Sequence, residues 1–327
     1  MSTRFKTRIT EMLGIENPIL CGGMQWVTKA DFVAEICNGG GFGFITAETY
    51  DGPDELRQDL RRMKGLTDKP FGVNISMTPE IGNVKNRTLR FCDVVCEEGI
   101  KFVETAGRNP APILPQLKEA GIKVIHKLTS VRHAVSVQKQ GVDAVTLVGY
   151  GSGGHVGNEN VASFILIPLA VSRLEIPVIA GGGVCDGKGF LGALAMGAEA
   201  VLMGTAFLMS QESPIHANVK ERMVQAEANE TALLMKSIMN PARCLKNKLA
   251  DEVLEMEARG TTLEEILSKV SGALGRIAYD VGDPDMAAIG CGQVVGLINE
   301  VKPVRKIIED ILAEAESLLD RLNHMKA

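Results

Sequence analysis

No basic block appears anywhere in the 327 residues, whose 35 lysines and arginines face 40 aspartates and glutamates for a net charge of -5. A protein that grips nucleic acid needs a cationic footprint to displace phosphate counterions, so no nucleic-acid partner is expected. Long apolar runs are missing too. The greasiest stretch, Phe164 to Val171, is far too short to span a bilayer and is soon followed by Arg173 and Glu175, so no membrane partner is expected. The first ten residues carry charge with no apolar segment behind them, and no secretory signal is expected. Cys-x-x-Cys is absent as well. Seven scattered cysteines suit reduced thiols in a cytoplasmic protein better than a disulfide framework. Cys92 and Cys96 share a helix face but have no matching His or Cys pair nearby, so helix packing is expected there and no metal.

What is present is alternation. Apolar runs rich in Val and Ile occur at Pro18–Cys21, Gly43–Thr46, Phe71–Ser76, Phe102–Thr105, Val124–Leu128, Ala144–Val148, Val178–Ala180 and Ala200–Met203. Their near-continuous hydrophobicity fits parallel strands buried on both faces. Amphipathic helical stretches lie between them, for example Lys29–Cys37, Asp54–Met63, Arg87–Glu97 and Val131–Gln140. Eight such units suggest an α/β fold with a parallel (β/α)8 TIM barrel, although counting alone leaves a doubly wound open sheet available. After Met203 the texture changes. Residues from about 213 to 283 read as helices only, and Lys302 to Leu322 supplies an apolar stripe for the last barrel helix. The expected organisation is a barrel of residues 1–212 and 284–327, with a small helical second domain, 213–283, inserted near the C-terminus as a lid.

In barrels of this kind chemistry gathers at the C-terminal strand ends. There the sequence places Gly22-Gly23-Met24-Gln25-Trp26 (the only tryptophan), Asn74, His126-Lys127, a glycine-rich run from Gly149 to Gly157, Gly181-Gly182-Gly183 and Gly204-Thr205. Glycines on the seventh and eighth strand ends let backbone approach a ligand and point successive N–H groups at an anion, and the Thr205 hydroxyl at the start of a short helix would add to them. A phosphate site is therefore expected. Gly149, Gly151 and Gly154 also satisfy G-x-G-x-x-G, but no helix opens within that motif, so a Rossmann dinucleotide site is rejected.

These strand ends resemble the nitronate monooxygenase family, especially its NADH:quinone reductase branch. The resemblance runs over essentially the whole chain. It is carried by Gly22-Gly23-Met24-Gln25-Trp26-Val27, Pro70-Phe71-Gly72-Val73-Asn74, Val124-Ile125-His126-Lys127, Val131-Arg132-His133-Ala134, Gly153-Gly154-His155-x-Gly157, Asp186-Gly187-x-Gly189, Met203-Gly204-Thr205 and Pro214-Ile215-His216. The family resemblance implies FMN, contacted through backbone at Gly22, Gly23 and Met24 and hydrogen-bonded by Asn74 and Lys127. Gly154 would lie near the ring, and Gly182, Gly183, Gly204 and Thr205 would hold the phosphate. His155 matches the family's active-site histidine. The FMN-dependent enoyl-acyl-carrier-protein reductases share Gly-Gly-His-x-Gly. Two positions depart from the pattern, Cys21 where Gln is common and Gly151 where an acidic residue is common, and both are expected on the substrate side.

The residue chemistry agrees with that resemblance. A lysine beside a flavin stabilises the negative charge of the reduced ring near N1 and O2. Strand alternation then turns His126 away toward the helices, as a structural residue. A histidine among glycines with a pKa near neutrality can remove a proton α to a nitro group or donate one to a reduced substrate. His133, His216 and His324 carry no comparable signal. The expected function is an FMN oxidoreductase acting on a small molecule, either oxidising a nitronate with O2 or passing hydride from NAD(P)H to a quinone-like acceptor. An enoyl-thioester reductase and a non-redox phosphate-ligand barrel are the alternatives, and the oligomeric state is left open, a homodimer included.

Overall fold

The computed structural model describes residues 5–77 and 87–325, so the first four residues of the N-terminal segment read above lie outside it. In chain order the strands are β1 (Ile19–Cys21), β2 (Phe42–Thr46), β3 (Gly72–Met77), β4 (Phe102–Gly107), β5 (Lys123–Leu128), β6 (Ala144–Val148), β7 (Gly154–His155), β8 (Val178–Gly181), β9 (Ala200–Met203), β10 (Thr231–Leu234) and β11 (Ala242–Leu245). Eight of them close a parallel barrel in the order β1-β2-β3-β4-β5-β6-β8-β9, with β9 pairing back to β1. The open sheet is thereby excluded.

The barrel floor explains why α1 (Arg8–Leu13) precedes the first strand. Thr7 caps this helix in a reciprocal capping box with Thr10, and Thr7 Oγ1 donates to the Glu199 carbonyl at the foot of β9, 2.7 Å away. Ile9 and Leu13 then reach into the interior among Leu20, Phe42, Phe44, Ile125, Ala144, Ile179, Ala200 and Leu202. Phe42 meets Phe44 and Phe102 edge to face.

The surrounding helices include α2 (Ala30–Asn38), α3 (Pro53–Leu66), α4 (Arg87–Glu97), α5 (Leu114–Glu119), α6 (Val131–Gln140), α7 (Ser163–Val171) and α8 (Gly187–Ala195). In α3 a proline opens the first turn, Asp54 and Glu55 follow it, and Leu56, Leu60 and Met63 recur on one face to pack inward. After the four-residue helix α9 (Thr205–Leu208) come α10 (Ala217–Val224), α11 (Lys248–Ala258), α12 (Leu263–Lys269) and α13 (Gly272–Val281). The final helix α14 (Val304–His324) returns to pack against α8 and α2.

The reading of residues 213–283 as helices only needs correction. β10 and β11 form an antiparallel hairpin within this stretch, and β11 pairs with β7 of the barrel's own glycine-rich loop. Strands of two to four residues leave almost no periodic signal, which is why pattern reading passed over them. No described helix is long and apolar enough to cross a membrane.

Candidate active site

Toward the C-terminal strand ends the inward positions of the barrel turn from apolar to polar. Asn74 on β3, Glu104 on β4 and Thr146 on β6 are all buried, and Lys127 on β5 is largely so. Lys127 Nζ donates to Glu104 Oε2 at 2.8 Å, and Asn74 Nδ2 donates to the same oxygen at 2.6 Å. Glu104 Oε1 and Thr146 Oγ1 have no partner among the described residues. His126, one residue from Lys127, packs the other way. Its Nδ1 lies 2.8 Å from Thr105 Oγ1, and burial, then His133 and Lys127, pushes its pKa down to about 4.

The glycines after β1 answer first to packing. A Cβ on Gly22 would meet Leu202 Cδ2 at 2.8 Å, and one on Gly23 would meet Asn74 Cβ at 2.6 Å and Thr46 Oγ1 at 2.8 Å. The Gly22 N–H donates to the Met203 carbonyl, 3.1 Å, and the Met24 N–H to Thr28 Oγ1, 3.0 Å. Of the three, only Gly23 keeps an N–H without a partner among the described residues. Cys21 is not on the substrate side as expected. It is wholly buried in the core shared with the helices, where burial and then the Glu104 and Cys37 charges raise its thiol pKa.

Beside β1, the ends of β9 and its neighbour β8 gather donors that have no partner among the described residues. Gly182 and Gly183 both hold positive φ, +84° and +86°, and a Cβ on Gly183 would enter open space. Their N–H groups and that of Gly204 find no acceptor among the described residues. Thr205 Oγ1 accepts from the Gly292 N–H at 3.0 Å, which leaves its hydroxyl proton free to donate. Ser152 Oγ is buried without a partner beside Gly182, whose added Cβ would stand 2.7 Å from Ser152 Cβ. Unpaired donors around an open space fit a phosphoryl group, and Ser152 joins the four residues expected there.

His155 ends β7 opposite Ala242 of β11. Its ring remains in contact with solvent, yet the surrounding cleft is crowded enough for desolvation to lower its pKa below the usual 6.5. Its Nε2 lies 3.2 Å from Asn240 Nδ2, and Nδ1 has no partner among the described residues. Gly154 holds φ +71° with open space above it. Behind this loop the 290–293 segment packs closely, the Gln293 N–H donating to the Gly151 carbonyl at 2.9 Å. Cys291 is buried there, its thiol pushed up to about 12. Arg243 of β11 stacks over the Tyr150 ring, 5.0 Å from its centroid, and donates to the Tyr150 carbonyl. Across the mouth, Trp26 Nε1 donates to the Gly272 carbonyl of α13 at 2.7 Å, from a backbone held at φ +68°. Among the described residues no group of three or more His, Cys, Asp or Glu could hold a metal.

Sequence reading missed Glu104, Ser152 and Asn240. Glu104 had a visible signal, a lone charge inside an otherwise apolar strand. Asn240 had none, being 85 residues from His155.

Fold and site define a (β/α)8 barrel enzyme with a Lys127–Glu104–Asn74 cluster, a set of unpaired N–H and hydroxyl donors and a histidine at one mouth. The nitronate monooxygenase family model matches residues 6–314, and the chain belongs to that family, as an oxidoreductase. It is 30% identical to the "(3aS,4S,5R,7aS)-5-hydroxy-7a-methyl-1-oxo-octahydro-1H-indene-4-carboxyl-CoA dehydrogenase" of Mycobacterium tuberculosis, over 95% of this chain and 96% of that one. A "probable nitronate monooxygenase" of Staphylococcus aureus is 29% identical over 96% of this chain and 98% of its own. Among solved structures, FabK from Thermotoga maritima superposes with a TM-score of 0.90 at 38% identity, covering 98% of this chain and 99% of that chain.

Proposed function

We propose that the chain is an FMN-dependent oxidoreductase whose flavin lies across the barrel mouth, its phosphate at Gly182, Gly183, Gly204, Thr205 and Ser152 and its ring edge over Asn74 and Lys127. The observation that carries this reading is the set of unpaired N–H and hydroxyl donors at the ends of β8 and β9, on the same mouth as the Lys127 cation. FMN would supply two-electron redox capacity. Lys127 offsets negative charge on the reduced ring, and the Gly23 N–H and the free Asn74 Oδ1 offer one donor and one acceptor to its polar edge. Desolvation lowers the His155 pKa, which favours the neutral imidazole. With Nε2 accepting from the Asn240 amide, the ring in its neutral form carries its proton on Nδ1, which can give it to a reduced substrate, and a carbon acid's proton would be taken at Nε2 once that amide turns aside. Residues 213–283 act as the lid, tied to the barrel by the β7–β11 pairing and by Trp26.

The electron donor is either a nitronate, with O2 as acceptor, or NAD(P)H, with a quinone-like acceptor. A second reading, enoyl-thioester reduction, is favoured by the likeness to FabK and to the indene-carboxyl-CoA dehydrogenase, whose name also carries a CoA thioester. Anaerobic mixing of the yellow protein with NADH, NADPH and a nitronate in parallel separates the first two. Consumption of NAD(P)H that depends on a crotonyl thioester identifies the third. Protein that stays colourless after incubation with FMN would overturn the proposal.

A further inference from the structure

The pair beneath the mouth does more than hold a lysine in place. Glu104 is wholly buried, and two of its neighbours, Asn74 and Lys127, donate to a single one of its oxygens at 2.6 and 2.8 Å. Ionised carboxylates in an apolar barrel are costly, and an apolar residue of similar size would pack there without that cost. The carboxylate has two effects that such a residue lacks. It turns the Asn74 amide so that its NH2 faces down into the barrel, leaving Oδ1 as an acceptor without a protein partner. It also places a full negative charge 2.8 Å below the Lys127 ammonium, so that a ligand at the mouth sees a dipole rather than a bare cation.

We infer that Glu104 is a positioning residue that sets the redox potential of the bound flavin, by orienting Asn74 and by cancelling most of the field that Lys127 projects onto the ring. The inference rests on the FMN reading above. A bare Lys127 would favour the reduced, negatively charged ring strongly; the paired lysine favours it weakly and keeps the flavin a ready electron donor. This assigns Glu104 to the direction of electron flow, independent of which substrate delivers the electrons.

Glu104→Gln keeps the shape and an acceptor oxygen for both donors while removing the charge. The midpoint potential of the bound FMN is measured by anaerobic dye equilibration at mildly acidic and neutral pH. The expected result is a positive shift corresponding to at least tenfold tighter binding of reduced over oxidised flavin, about 30 mV for a two-electron couple. Glu104→Asp, which retains the charge, is expected to return the potential toward that of the unaltered protein. A Glu104→Gln protein that binds FMN with an unchanged potential overturns the inference. If that variant does not fold, Glu104→Gln/Lys127→Met, which buries no unpaired charge, carries the test. Its potential should stay near that of the unaltered protein, because one neutral pair replaces another, and a large negative shift overturns the inference. Failure of the unaltered protein to bind FMN at all counts against the proposed function instead, so the two can fail separately.

Discussion

Gly183 and Gly14 hold nearly the same strained backbone, φ +86° and +69°, and at both positions an added Cβ would meet nothing within 4 Å. Their surroundings differ in one respect. Gly14 ends α1 at the foot of the barrel, whereas Gly183 borders the open space of the proposed phosphate site. Changing either to alanine forces an L-residue into the left-handed region, at about 1–2 kcal/mol in each case. In a chain of this size that lowers the melting temperature by a few degrees, about 2–4 °C per kcal/mol. Stability alone therefore cannot tell the two variants apart. Ligand binding can. The Gly183 methyl group would stand where the phosphoryl oxygens meet the N–H groups of Gly182 and Gly183. Losing one charge-assisted hydrogen bond of about 1.5–3 kcal/mol weakens FMN binding about 10- to 150-fold. The assay is titration of apoprotein with FMN, followed by quenching of flavin fluorescence or of the single tryptophan, Trp26, beside melting curves with and without FMN. Gly183→Ala is expected to lose most of the FMN-induced rise in melting temperature, and Gly14→Ala to keep it. Equal FMN affinity in the two variants would refute the placement of the phosphate.

Asn240→Asp should place a carboxylate against His155 Nε2, raise the imidazole pKa and move the acid limb of the pH–rate profile upward, whereas His155→Ala should leave FMN bound and cut carbon-acid turnover by about 10²–10⁴. An unmoved acid limb in Asn240→Asp would remove Asn240 from the mechanism. His126, with a folded pKa near 4 against the usual 6.5, binds its proton more readily in the unfolded chain. Folding stability should therefore fall as pH drops from about 6.5 to 4, by up to about 3 kcal/mol, and denaturant melts of His126→Asn should show a shallower decline over that window. Cys21 and Cys291, buried with raised thiol pKa values, should resist iodoacetamide in native protein and react only after unfolding, as read by mass spectrometry of the modified peptides.

The barrel was legible because two signals coincide in each unit. A strand buried on both faces must be apolar throughout, and the strand end that meets a ligand must give up side chains, so Val178–Gly181 followed by two more glycines reads almost unambiguously. Lys127 stood out for the same reason, as a charge at the end of an apolar run. The hairpin did not. Thr231–Leu234 alternates intermediate and buried positions over only four residues, too few to separate a strand period from a helical one, and its partner β11 pairs in turn with β7 from far away in the sequence. Asn240 and Ser152 escaped for a related reason: what makes each of them part of the site is a neighbour supplied by the closed fold, and no local spacing encodes that.

The two departures from the family pattern separate once the fold is known. Cys21 alternates with the inward Leu20 and Gly22 and so belongs to the shell between β1 and the helices, where a thiol fills a small apolar gap. Gly151 is different. A Cβ there would stand 3.0 Å from Gln293 Oε1, and the Gly151 carbonyl already accepts from the Gln293 N–H. An acidic side chain at 151 would drive a carboxylate toward the Gln293 side-chain carbonyl oxygen, so a neutral amide here occupies the room that a side chain at 151 would need. Gln293 belongs to the segment that backs the His155 loop and that also reaches the end of β9 through the Gly292 N–H on Thr205 Oγ1, while the Glu104–Lys127 pair stands on other strands. The bare position at 151 therefore bears on the loop that carries both Ser152 and His155, and leaves the Glu104–Lys127 pair untouched.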